Sequence, residues 1–140
     1  MSSHDALNSI CETATELAFK QLEQFGEFIP FAVVCLQDGS TGFVALATDQ
    51  VQPRADLNLE TLRNVLRNGA QQQAYQAVAV ASDVQIQMED DAVSHAVCLE
   101  VEHVEETPVR YVLPYDKSEG ELKQTCATIV ADGENIVFGQ

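Results

Sequence analysis

One proline divides the first helical pattern of this chain from its first strand. Residues 28–36 read FIPFAVVCL, an aromatic and β-branched run without a charge. Pro30 has no N–H to give a helix and its ring blocks the preceding turn, so the helix upstream cannot run through it. From Phe31 to Leu36, apolar residues fill both phases of the strand alternation. That pattern predicts a strand buried on both faces, around which the rest of the chain is fitted.

Upstream, residues 4–25 carry Leu7, Ile10, Cys11, Ala14, Leu17, Ala18, Leu22 and Phe25 at spacings of three and four. This is one apolar stripe of a helix, with Ser3 or Asp5 as cap and Gly26 as the residue that ends it. Phe19 falls off the stripe, where it either covers the edge of the core or meets a partner. Downstream, Asp38, Gly39, Ser40, Thr41 and Gly42 signal a hairpin, with residues 43–48 as the return strand. The turn lacks the lysine and the following helix of a phosphate loop.

A second helix is expected from about Asn58, with Leu57 and Leu62 as a hydrophobic staple. Its buried stripe is Leu59, Leu62, Val65, Leu66 and Ala70, and Arg63 and Arg67, four residues apart in the same helix, are half of the chain's arginines. Residues 75–88 alternate, with Val78, Val80, Val84 and Ile86 on one face and Ala77, Ala79, Ala81 and Asp83 on the other. Glu89, Asp90 and Asp91 form an acidic turn without the ordered ligand spacing of a calcium loop. Strands at 93–104 and 109–113 follow, then a loop at 115–120 and a strand at 122–130. After a turn at Asp132 and Gly133, Ile136, Val137 and Phe138 tuck onto the core. The order is α-β-β-α-β-β-β, with one or two more short strands. Hairpins outnumber long crossovers, which predicts a single α+β domain over residues 1–140, with two helices and a mostly antiparallel sheet of five to six strands.

Charge narrows the partners. Acids outnumber bases 22 to 7, for a net charge of −15. Such a surface repels phosphate backbones and anionic lipid, so neither nucleic acid nor a membrane is expected. It fits plain solubility, adaptation to high salt, or a face that meets a basic protein. The opening residues MSSHDALNS have no basic, apolar signal pattern, and no apolar run approaches the ~20 residues of a membrane span. Cys11, Cys35, Cys98 and Cys126 lack paired spacing, which predicts free core thiols in a reducing cytoplasm rather than a zinc ribbon. No cofactor is expected.

Several short blocks carry a resemblance. They are the helix end at Glu23, Gln24, Phe25, Gly26 and Glu27 leading into Phe28–Ala32, then Tyr75 with Asp83 and Val84. Val101, Glu102 and His103 follow, and Val112, Leu113, Pro114 and Tyr115 after them. In that order they resemble a group of small bacterial α+β proteins without assigned function. The resemblance spans most of the chain, implies a bacterial source and the same fold class, and brings no activity with it. The element order is also similar to that of roadblock-type domains, small dimeric scaffolds of switch proteins.

Three constellations could carry chemistry. Alternation puts Glu100 and Glu102 on one strand face, and a hairpin centred on Glu106 places Glu102 opposite Arg110 and Tyr111 opposite Val101. This is either a carboxylate pair for acid–base work or a cross-strand salt bridge on a solvated face. His95 and His103 are about 26 Å apart at strand rise and cannot share a metal unless the strand folds back. Cys35, Cys98 and Cys126 sit among apolar neighbours, far from the electropositive setting a nucleophile needs, and Ser94 faces away from His95.

The expected function is therefore non-enzymatic binding of another protein. One alternative is an acidic immunity-like or inhibitor protein that masks a basic partner; another is a small enzyme using the Glu100/Glu102 face. The candidate docking residues are Asp5, Glu12, Glu16, Glu23 and Glu27, which form nearly one line opposite the first helix's apolar stripe. Lys20 interrupts the line and can pair with Glu16. A homodimer is a further expectation, through the small-residue strip Ala77, Ala79 and Ala81, extended by Ala96 and Cys98, unless the first helix covers it.

Overall fold

A computed structural model describes residues 3–46, 55–87, 93–104, 106–116, 123–124, 129–133 and 137. The helices are α1 (Ser3–Phe25) and α2 (Ala55–Gln71), and the strands are β1 (Phe31–Leu36), β2 (Thr41–Ala45), β3 (Tyr75–Gln87), β4 (Val93–His103), β5 (Glu106–Asp116), β6 (Lys123–Gln124) and β7 (Ile129–Asp132). All described pairings are antiparallel. The sheet order is β2-β1-β3-β4-β5, and β6 and β7 both pair with the outer edge of β5. Seven segments thus fill six positions across an α+β domain. The expected acidic turn at residues 89–91, the tuck at Ile136 and Phe138, and Cys126 lie outside the described residues.

β1 is buried on both faces, as its unbroken apolar run predicts. One face of the sheet belongs to α1. Ile10, Ala14, Ala18 and Leu22 lie on Phe31, Val33 and Cys35 of β1, Ala77, Ala79 and Ala81 of β3, and Val97, Leu99 and Val101 of β4. The opposite face belongs to α2, whose Leu62 and Leu66 pack on Ala32, Val34, Val78 and Val80, joined by Val137. The alanine strip is therefore covered within the chain by α1, and self-association through it would require the helix to leave. Ala96 and Cys98 do not extend it. They pair with Val84 and Ser82, on the α2 face.

Gly26 ends α1 at φ 77°, its N–H returning to the Leu22 carbonyl at 2.9 Å. The chain then reverses, and Phe28, not Phe25, fills the end of the core, with its ring 5.6 Å from that of Phe31. Phe25, expected on the buried stripe, is 72% exposed. Phe19 covers the core edge, edge-on to Tyr115 at 6.2 Å. At the β1–β2 turn, Gly39 takes φ 88° and Asp38 accepts hydrogen bonds from the Ser40 amide and hydroxyl, which lowers the Asp38 carboxyl below its usual range.

Some boundaries differ from expectation. β2 starts two residues earlier than the glycine turn suggested, because Thr41 and Gly42 already pair with Cys35 and Val34. α2 begins at Ala55, so Asn58 is a buried residue of its first turns and not its cap, and Leu57 is an exposed helical residue. Val65 is exposed as well. β5 runs through Pro108 and past Tyr115, where a loop was expected, since β4, β6 and β7 give it partners on both edges.

Candidate functional site

The β4–β5 hairpin decides where the expected carboxylates go. Its register sets Glu100 opposite Arg110 and Leu99 opposite Tyr111, two residues from the expected Glu102–Arg110 pairing. Between Val101 and His103, β5 advances one residue more than β4, a bulge that no alternation announces. No ion pair joins Glu102 to Arg110 among the described residues. Nor is the face solvated: Glu100 is 8% exposed and Glu102 only 1%.

Both carboxylates are held. Arg63 reaches down from α2 and gives Glu100 a forked contact, with Nε to Oε2 at 3.3 Å and Nη2 to Oε1. Glu102 accepts the Val137 amide on both oxygens, at 2.9 and 3.0 Å. Beside them Cys98 lies opposite Ser82; burial first, then the Glu100 charge, pushes its thiol pKa up. A protonated thiol and engaged carboxylates do not make a nucleophile or a general base. Sequence reasoning missed Arg63. Its signal was position, because a cation between Leu59 and Leu66 on a helix must face the sheet's edge or its interior.

The α1 face carries a second polar group. The Tyr115 hydroxyl donates to Asp83 at 2.7 Å across β4, and the His95 ring stacks on Tyr115 at 5.9 Å. Burial and the Asp83 contact raise the Tyr115 pKa. Asp83 therefore satisfies a buried phenol and is not a lone acid. His95 is exposed and His103 buried, on strand positions that stay far apart, and no group of three metal-ligating side chains gathers among the described residues.

The expected docking residues all lie at the surface. Asp5, Glu12, Glu16 and Glu23 are exposed on α1, and Glu27 is exposed just beyond its end. The Glu16–Lys20 pair is not formed among the described residues. Glu12 and Glu16 have a further surrounding. They stand with Cys11 and Thr15 along a groove of about 390 Å³ whose floor is Leu99, Tyr111 and Leu113. Burial raises the Cys11 thiol there to about 11. A smaller cavity of about 280 Å³ lies between the start of α1 and the β1–β2 turn, against Cys35, Asp38 and Gln76. Neither cavity is lined by Glu100 or Glu102. Comparison of the chain with protein-family models, curated proteins and solved structures finds no match.

Proposed function

We propose that this protein is a non-enzymatic binding module whose docking face is the acidic side of α1, and whose partner is a basic protein. One observation carries the reading: Glu12, Glu16 and Glu23 are exposed and make no ion pair among the described residues, while the core contacts of α1 come from the stripe opposite them together with Ala6 and Phe19. Helix stability does not ask for Glu23, which lies near the negative end of the helix dipole. Charge steers the encounter, so association is fast and weakens as salt rises.

An inhibitor that masks a basic partner's working surface would use the same face, and the net charge of −15 favours that form of binding. Free thiols at Cys11, Cys35 and Cys98 support a reducing compartment such as the cytoplasm. No helix among the described residues is long and apolar enough to cross a membrane. The test is the joint change Glu12→Gln, Glu16→Gln and Glu23→Gln. A basic protein purified from the native extract on the immobilised wild type should bind the variant more weakly, with a flatter dependence on salt. Equal affinity and equal salt dependence would remove α1 as the docking face.

A further inference from the structure

The groove beside α1 has the width, floor and charge of a seat for another helix. α1 packs over β1, β3 and β4. Beyond it, the same sheet face continues over β5 to β7. Val130 stands opposite Tyr111, and Asp132 opposite Val109, so both point to the groove's side of the sheet. Val130 is 65% exposed, which extends the floor of Leu99, Tyr111 and Leu113 to the sheet edge. From β4 to β7 is two strand spacings, about 10 Å. Neighbouring helices pack about 8–10 Å apart, so one helix fits on this strip alongside α1.

The rims are acidic on both sides. Glu12 and Glu16, one turn apart, border the groove on the α1 side, and exposed Asp132 stands on β7 beyond its floor, opposite Val109 on the same sheet face. An apolar floor between two acidic rims complements a helix with an apolar stripe flanked by basic residues. It disfavours a second copy of this chain, which carries net −15. We propose that the groove binds an amphipathic basic helix of the partner, seated on Tyr111 and Val130 above the buried Leu99 and Leu113, with lysine or arginine side chains at Glu12, Glu16 and Asp132. This rests on the docking face argued above and names what lies in it.

The test uses the full chain and a synthetic helical peptide of about 18 residues, with leucines at i, i+3, i+4 and i+7 and lysines on both flanks. Its control is the same composition scrambled out of register. The amphipathic peptide should bind and shift the methyl resonances of Leu99, Leu113 and Val130; the scrambled one should not. Thr15→Trp fills the groove and leaves the acids in place, since the Thr15 hydroxyl bonds only its own helix, to the Cys11 carbonyl. It should weaken binding about tenfold with the salt dependence kept. Should that variant misfold, Val130→Ser changes an exposed side chain only and should weaken binding about threefold. Glu12→Gln with Glu16→Gln should instead slow association and flatten the salt dependence. Equal binding of both peptides overturns the proposal, as does no binding. If the peptide binds, loses affinity with the glutamine changes, and spares those methyls, the acidic face stands and the groove does not. If the glutamine changes leave binding and its salt dependence intact while Thr15→Trp abolishes it, the groove stands and the charge reading fails. Concentration-dependent shifts of the same methyls without peptide would seat a second copy and overturn the choice of occupant.

Discussion

On one face of the sheet α1 lies on alanines; on the other α2 lies on valines and then on charges. Ala77, Ala79 and Ala81 let α1 come down close, and its contact there is apolar throughout. α2 covers only the β1–β3 half in that way, through Leu62 and Leu66. Past that half, the α2 face offers Ser82, Cys98, Glu100 and Glu102, and α2 answers with Arg63. The α1 face keeps its acids at the rim, in water. The α2 face buries two of its own and must hold them with donors. The same residue type is thus available for docking on one side and committed to structure on the other.

The comparison predicts how each face breaks. The largest effect should follow Arg63→Ala, which leaves the Glu100 oxygens without their donor and should cost about 3 kcal/mol in urea denaturation. Adding Glu100→Gln should restore part of it; no recovery would mean that packing, not charge, holds α2 there. Next, Ala79→Leu puts a side chain where α1 sits and should cost about 2–3 kcal/mol, independent of salt. A neutral result would mean that α1 can rise from the sheet.

Alkaline pH separates the faces more gently. Burial lifts the Cys11 thiol from its ordinary 9.0 to about 11, so the folded chain holds that proton more tightly than the unfolded one. The stability it contributes is complete below pH 9 and is lost as pH rises through 11, at most about 2 kcal/mol after allowing for its partial exposure. Tyr115, also raised, adds loss in the same direction at higher pH. Cys11→Ala should remove its own share of this alkaline loss in melting curves and leave the share of the raised Cys35 and Cys98 thiols; an unchanged curve would place the loss elsewhere. The smallest effect should come from Glu12→Gln, Glu16→Gln and Glu23→Gln together, within about 0.5 kcal/mol of wild type in denaturation, because no contact is lost. A larger change would mean that these acids serve the fold.

Much of this fold could be read from local pattern. The both-face burial of β1, the stripe of α1 and the two faces of β3 follow from periods of 3.6 and 2, which backbone geometry imposes on any sequence, and the stop at Gly26 follows from glycine's access to positive φ. The surface position of the five acids followed from the same periodicity. Phe25 misled because it keeps the spacing of the stripe, while the reversal after Gly26 gives its place to Phe28.

The register of β4 on β5 could not be read that way. A slip of one residue would turn every side chain to the other face and is excluded by the apolar pattern, but a slip of two leaves each residue on its own face. Glu102 and Glu100 are therefore equivalent opposite Arg110 as far as alternation goes, and the turn that closes at His103 and Glu106, with the bulge after Val101, chooses Glu100. What covers a face is equally beyond local pattern. Arg63 meets Glu100 from 37 residues away, and Val137 meets Glu102 from 35. The sequence alone determined which side of each element is apolar, because that depends on backbone period. The tertiary structure alone decided which acids are buried and which border a groove, because that depends on what the rest of the chain lays over them.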